Sequence, residues 1–232
     1  MGAMLYFETL TLKVVVQWTA TLFTFVAFLA GIHSAHKIVK QGNTHEVSLV
    51  PYLSFFVGAV VWLKYGTLIH DPTIILVNIV GLCFQTVYIF IYYIYSLQKH
   101  FIYKQFAFAA AVVVPTLVYA KYLASSLAKA TQVVGLVGCM LSLCSYCSPL
   151  ATLRTVLKNK STDSMSFPLV AVNFLVALQW ALYGYLLKDK NILIPNTLGC
   201  AIAGVQVLLF VVYPPWKSKT HHAPLHGPVI KT

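Results

Sequence analysis

Two tryptophans and two asparagines hold most of the chemical information in this chain. Trp62 and Trp180 stand 118 residues apart, and so do Asn78 and Asn196. All four fall inside long apolar runs, where a polar or amphipathic side chain is costly and is usually kept for a use. An indole offers a flat apolar face on which the C–H bonds of a ring ligand can rest. A carboxamide both donates and accepts hydrogen bonds. The set suits a neutral ligand with one apolar face and several hydroxyls, as in a pyranose. Each residue taken alone has a simpler explanation. A membrane Asn can just bond a neighbouring helix for about 1 kcal/mol, and a Trp can anchor at the headgroups. Recurrence at one spacing favours a site. Depth argues against anchoring: Trp62 and Trp180 lie nine residues before Asp71 and Asp189, roughly 13 Å below the outer surface. Asn78 and Asn196 lie six residues beyond Pro72 and Lys190, each roughly 9 Å down.

The elements that must position these residues are membrane helices. The chain has 232 residues, 59% apolar and 9% charged, against about 25% charged in soluble domains. Seven apolar runs cover 14–36, 47–69, 72–97, 105–127, 131–153, 166–187 and 192–213. Runs of about twenty residues cross a hydrocarbon core of about 30 Å. Lipid leaves a backbone no partners outside its own segment, so each run is expected to be helical. Connections are short, and the tail 214–232 is too polar and Pro-rich to pack. The first run does not read as a cleaved leader, because Glu8 precedes Lys13 and the run exceeds a leader's apolar stretch. Tyr6 and Phe7 likewise do not fit a myristoylation signal. With the N-terminus outside, ten of the sixteen Lys and Arg face the cytosol, as the positive-inside rule prefers. The sequon Asn159-Lys160-Ser161 is then cytosolic and unglycosylated. The plasma membrane is the expected residence, with the Golgi as a further one. The net charge of +11 reads as affinity for anionic inner-leaflet lipid and not for nucleic acid. Cys83, Cys139, Cys144, Cys147 and Cys200 all lie in apolar runs. They read as packing residues, so no disulfide, metal or cofactor is expected.

The 118-residue spacing is part of an internal repeat. A shift of 117 places Pro51 on Pro168, Val39 on Val156 and Glu46 on Asp163. After one extra residue in the second copy, a shift of 118 aligns Tyr65-Gly66 with Tyr183-Gly184, Asp71 with Asp189, Gly81 with Gly199 and Tyr95 with Tyr213. Chance matches between apolar helices usually involve Leu or Val, whereas these involve Trp, Asn, Asp, Pro and Gly. Each copy holds three helices, and one extra crossing between them gives both the same orientation. The expected organisation is an extracellular 1–13, a first repeat 14–97, a linker helix 98–130, a second repeat 131–213 and a cytoplasmic tail 214–232. Related parallel halves frame a central path. Two similar polar segments, "KQGNTHEVSLVP" (40–51) and "KNKSTDSMSFP" (158–168), mark the cytoplasmic turn of each repeat. Their hydroxyls and acid are expected to cap the helix that enters at the proline.

The segment "KNKSTDSMSFP", the helix running from a proline to Trp-Tyr-Gly, and the "PN" of the last helix resemble the SWEET family of sugar transporters. The resemblance covers nearly the whole chain to Tyr213 and is closer in the second repeat. It implies an all-α membrane bundle of three, one and three helices, and passive uniport of mono- or disaccharides by alternating access. Asn78, Asn196, Trp62, Trp180 and Cys144 are the candidate substrate contacts. Tyr65 and Tyr183 follow their Trp by three residues and share its face one turn closer to the outside. The resemblance implies an outer gate closed by Tyr65 and Asp189, with Tyr183 and Asp71 as their repeat counterparts. Read without the family, Asp189 between Lys188 and Lys190 is more simply a solvated loop charge. Pro51, Pro149 and Pro168 are candidate inner hinges, since proline frees a carbonyl and bends a helix. Family members typically carry a fourth such proline in the first helix. Ile32 stands there instead, and Gly31 is the candidate source of flexibility. His33 and His36 reach the inner mouth, where solvation accounts for them.

Rival functions are weaker. No paired carboxylates, activated nucleophile or metal-spaced cluster lies in the core, so an enzyme is not expected. A proton-coupled carrier would keep an acid or His inside the membrane, yet Glu8, Glu46, Asp71, Asp163 and Asp189 all lie at ends or loops. A seven-helix receptor predicts no repeat. A membrane scaffold with a vestigial pocket stays open, as does self-association of the short halves. Glucose is the foremost expected substrate.

Overall fold

The computed structural model describes residues 2–215, with side chains from residue 10 onward. Helix α1 spans Gly2–Gln41, α2 Val50–Leu68, α3 Pro72–Tyr95 and α4 Lys99–Val118, which continues through a π-helical turn, Tyr119–Leu123. Then come α5 Leu127–Ser145, α6 Cys147–Asn159, α7 Phe167–Leu187 and α8 Lys190–Val212. Among these residues, α5 and α6 are two parts of one crossing, broken at Tyr146, so the chain forms an all-α bundle of seven crossings. Helix α1 starts at Gly2, ahead of the expected run, so the stretch before residue 14 is helical rather than a separate segment. Of the tail, only 214 and 215 lie within the described residues.

Six helices are long and apolar enough to cross a membrane. The remaining one, α2, is diluted by Lys64 and by Tyr52 and Tyr65. It is nonetheless walled in by α3, α4 and α5. The chain is a multi-pass membrane protein.

Helix ends follow local chemistry, and the two repeats use the same devices. Asp71 accepts from the Thr73 and Ile74 N–H groups at the start of α3, and Asp189 from those of Asn191 and Ile192 at the start of α8. Each satisfies donors that the first turn leaves orphaned. The residue ahead of each cap, His70 and Lys188, has a positive φ of 54° and 56°. At the opposite end of the bundle α1 and α6 are likewise closed by left-handed residues 118 apart, Gly42 at 67° and Lys160 at 50°. Gly66 and Gly184 let the following helix approach: a Cβ there would meet Ile74 at 2.9 Å and the Leu193 N–H nitrogen at 2.7 Å. Lys99 donates to the Tyr93 and Ile94 carbonyls at the end of α3, where a cation complements the helix dipole.

The acid of the first polar turn, Glu46, does not cap the helix that follows, contrary to the sequence expectation. Glu46 is drawn 2.7 Å from Lys37 of α1, and Lys37, then Gln41, hold its carboxyl below the usual carboxylate range. Asp163 accepts from Ser161 at 2.8 Å. Ser48 accepts from the Val50 N–H at 3.2 Å, whereas Ser166 at the start of α7 makes no side-chain cap. The turn is anchored in another way: Thr162 is buried and donates to the Tyr213 carbonyl at the end of α8.

The six repeat helices close into a ring. Within the first repeat α1 packs on α3 and α3 on α2; within the second α5 packs on α8 and α8 on α7. The halves meet along two seams, α1 with α7 and α2 with α5. The linker α4 lies against α2, on the first repeat's side. Two apolar clusters fill the bundle. One joins Val16, Val61, Tyr65, Ile74, Val134, Tyr183 and Ile192 from both halves at the outer end. The other, toward the inner end, is built from α1 to α4 and the loop residue Leu49, with Leu141 at its margin.

Candidate functional site

The end of the ring that carries Asp71 and Asp189, the outer end in the expected orientation, is sealed by two reciprocal hydrogen bonds. Tyr65 of α2 donates to Asp189 Oδ2 at 2.5 Å, and Tyr183 of α7 donates to Asp71 Oδ2 at 2.6 Å. Each pair joins one repeat to the other, and the pairs are 118 residues apart at both ends. The helix-capping work falls to Oδ1 of each aspartate, which leaves Oδ2 for the tyrosine. Tyr65 and Tyr183 are 2% and 0% exposed, so neither phenol has water as an alternative partner. Asp189 is thus tied down by three donors, and the loop-charge reading does not describe its place.

Above this seal lies an open dish at the outer mouth, of about 740 Å³, floored by both aspartates and rimmed by Lys13, His70, Lys188 and Lys190. Below it lies the aromatic layer. The Trp62 indole packs edge-on against Tyr65, with ring centres 5.4 Å apart, and Trp180 does the same with Tyr183 at 5.7 Å. Both indoles reach across a seam. Trp62 Nε1 donates to Ser142 of α5 at 3.3 Å and Trp180 Nε1 to Thr24 of α1 at 2.9 Å. Thr24 and Ser142 are themselves 118 residues apart, a hydroxyl at each equivalent site.

The asparagines sit about two turns past the caps of α3 and α8. Asn78 Nδ2 donates to the Ile74 carbonyl at 2.8 Å, and Asn196 Nδ2 to the Ile192 carbonyl at 2.7 Å. Neither is spent on a neighbouring helix. Among the described residues, Oδ1 and the second N–H of each carboxamide have no protein partner, so each retains one acceptor and one donor for a ligand. Both side chains are half-buried. Cys144 is an exposed free thiol in the last turn of α5.

The prolines divide into two groups. Pro51 and Pro168 open α2 and α7 in their first turns, where a missing N–H costs no bond; they do not interrupt a helix. Of the three candidate hinges, Pro149 sits within a crossing, as Pro115 and Pro195 do in α4 and α8. It cannot donate to the Ser145 carbonyl, and the helix breaks just before it, at Tyr146. Tyr146 fills the gap: its ring lies against Gly199 and its hydroxyl donates to the Pro195 carbonyl at 2.9 Å. At the 118-residue spacing that pairs Thr24 with Ser142 on these two crossings, Gly31 and not Ile32 stands opposite Pro149, and the first crossing is continuous there. Gly31 is a packing cradle there, since a Cβ would lie 2.3 Å from the Tyr88 ring, whose hydroxyl donates to the Phe28 carbonyl. His33 and His36 are exposed.

Residue-type reasoning missed Gln17, Thr24, Ser142, Tyr146 and Asn191. The repeat would have yielded Thr24 and Ser142, because their hydroxyls align at 118. Gln17 carried a signal as well, a carboxamide within the first apolar run.

A family model described as "Sugar efflux transporter for intercellular exchange" matches residues 14–100 and again 132–218. The two matches begin 118 residues apart, the spacing of the internal repeat. The sugar transporter SWEET1 of Drosophila pseudoobscura pseudoobscura is 39% identical over 198 residues, covering 85% of this chain and 88% of that protein. The sugar transporter SWEET1 of Rattus norvegicus is 35% identical over 194 residues, covering 84% and 88%. A solved structure of a eukaryotic SWEET transporter superimposes with a TM-score of 0.80 at 25% identity, covering 87% of this chain and 96% of that one.

Proposed function

The chain belongs to the SWEET family of sugar transporters, and we propose that it carries a mono- or disaccharide, glucose foremost, passively and in both directions by alternating access. The observation that carries this reading is the pair of Tyr–Asp bonds closing the outer end directly above a layer of two indoles and two half-satisfied carboxamides. In the proposed cycle Asn78, Asn196, Trp62, Trp180 and Cys144 contact the sugar. Tyr65, Asp189, Tyr183 and Asp71 close the outer gate, and the break before Pro149 serves the inner one. The repeats span 14–97 and 131–213, the linker helix 98–130 joins them, the N-terminus is extracellular and the C-terminus cytoplasmic. Residence in the plasma membrane, and in the Golgi, belongs to the same proposal.

Passive transport is supported by where the acids sit. Asp71 and Asp189 are helix caps at the outer gate, and among the described residues no acid or His stands in the Trp and Asn layer proposed to hold the sugar. A carrier must also release its cargo. Millimolar affinity corresponds to about −4 kcal/mol, within reach of one stacked ring and a few hydrogen bonds.

The deciding experiment is radiolabelled glucose uptake and efflux in proteoliposomes, with and without a pH gradient, wild type beside Asn78→Ala. The expected result is bidirectional flux, unchanged by the gradient and lost in the variant. Absence of flux with glucose, sucrose and related sugars would overturn the transport reading.

A further inference from the structure

The two seams between the halves are related by the repeat but are built differently. Along the α1–α7 seam three hydrogen bonds cross between the halves. Gln17 Nε2 donates to the Tyr183 hydroxyl at 3.1 Å, Thr19 Oγ1 to Gln179 Oε1 at 2.9 Å, and Trp180 Nε1 to Thr24 Oγ1 at 2.9 Å. Gln17 also donates to Thr73 Oγ1 at 3.1 Å, which ties α1, α3 and α7 at one point. Along the α2–α5 seam only the last of the three is repeated, as Trp62 to Ser142 at 3.3 Å.

The other two have no counterpart, and the residues say why. The equivalents of Thr19 and Gln179 are Val137 and Val61, both in the outer apolar cluster. The equivalent of Gln17 is Gly135, which has no side chain to give. A Cβ on Gly135 would stand 2.4 Å from Asn191 Nδ2 and 2.6 Å from the Tyr65 ring. Asn191 occupies that space and donates to the Tyr65 hydroxyl at 3.2 Å. So the Tyr65–Asp189 latch is held by α2 and α8 alone, while the Tyr183–Asp71 latch is bound into α1 as well.

Building on the transport reading, we propose that the outer mouth opens on one side only. The α1–α7 seam is a hinge that stays joined through the cycle, with Gln17 as its positioning residue. The α2–α5 seam parts, and the Tyr65–Asp189 latch releases with it. Within the membrane span these half-buried polar pairs need their geometry to hold, because a separated partner has little water to turn to. Valines and a glycine slide apart without that penalty, which makes the α2–α5 seam the one that opens at lower cost.

Cross-linking each seam at equivalent positions tests this. Thr19→Cys with Gln179→Cys spans the hinge, and Val61→Cys with Val137→Cys spans the parting seam; each pair is assayed beside its two single variants. With sugar flux in proteoliposomes as the readout, the oxidised 61/137 pair is expected to stop transport until reductant is added. The oxidised 19/179 pair is expected to keep it. If the oxidised 19/179 pair stops flux, or the oxidised 61/137 pair leaves it running, the inference is overturned. Should the reduced proteins and the wild type carry no sugar, the transport reading fails separately. Spin-label pairs at exposed equivalent sites, 14 with 185 and 67 with 132, then decide the inference. One narrow distance across 14/185 beside two distances across 67/132 supports it, and two distances across 14/185, or a single one across 67/132, overturns it.

Discussion

Tyr65 donates to Asp189 across 2.5 Å, joining the second helix of one repeat to the cap of the last helix of the other. Asp189 divides its carboxylate between two duties: Oδ1 accepts from the first turn of α8, and Oδ2 from the phenol. Tyr65→Phe keeps the ring against Trp62 and removes the hydroxyl that donates to Asp189 and accepts from Asn191 Nδ2. The lost bond leaves Asp189 Oδ2 short of a partner, a penalty of about 1–3 kcal/mol on the closed outer end. A cysteine at Ser142, in the layer beneath, should then react faster with a membrane-impermeant thiol reagent applied outside, by about tenfold for each 1.4 kcal/mol. An unchanged labelling rate would show that this bond does not hold the outer end shut.

Gly135 and Gly58 are both helix-interior glycines, yet replacing them should have opposite effects. A Cβ at Gly58 meets nothing within 4 Å, so Gly58→Ala should stabilise α2 by up to about 1 kcal/mol through helix propensity. Gly135→Ala drives a methyl into Asn191 and the Tyr65 ring, displacing the donor that holds Tyr65 in place. Thermal unfolding in detergent and sugar flux, measured on both, separate the two effects. The Gly58 variant should melt at or above wild type, and the Gly135 variant should melt lower and transport less. Equal behaviour would mean that the Gly135 contact relaxes without cost.

Much of the architecture was legible because membrane helices leave few alternatives and because the repeat registers polar residues against each other. Asp71 and Asp189, or Asn78 and Asn196, are informative only as pairs. The break at Tyr146 was half legible: Pro149 predicted a disturbance, but its consequence depends on Gly199 and the Pro195 carbonyl, which come from a distant helix. Pro51 and Pro168 were misjudged as interruptions because the run boundaries were drawn three residues and one residue too early. The capping by Glu46 failed for a related reason, since Lys37 on the preceding helix competes for the same carboxylate at 2.7 Å. The difference between the seams was hidden because it rests on positions where the repeat does not match, Gln17 against Gly135 and Thr19 against Val137.

The carboxamides and indoles give the sharpest test of the proposed sugar layer. Asn196 spends one N–H on the Ile192 carbonyl and keeps the rest of its capacity, so Asn196→Ala should abolish uptake with little effect on folding. Trp180 has two duties, a ring face and an N–H bonded to Thr24. Trp180→Ala should abolish uptake too, while Trp180→Phe keeps an apolar face and loses only the bond, so it should retain partial flux. Surface expression measured alongside separates lost transport from lost protein. Normal flux in Asn196→Ala and Trp180→Ala at normal expression would remove these residues from the path.

Lys160 and Gly42 close equivalent helices in the same left-handed conformation, at φ 50° and 67°, but only one of them is suited to it. A residue with a Cβ in that region costs roughly 1–2 kcal/mol, whereas glycine enters it freely. Lys160→Gly should therefore raise the thermal stability of the purified protein, net of the greater freedom glycine gives the unfolded chain, by about 0.5–1 kcal/mol. Gly42→Ala should lower it by a similar amount, with no neighbour within 4 Å to add a clash. Melting curves of the two variants beside wild type test the pair. A stabilising Gly42→Ala, or a destabilising Lys160→Gly, would show that the lysine side chain contributes more at that turn than its backbone strain costs.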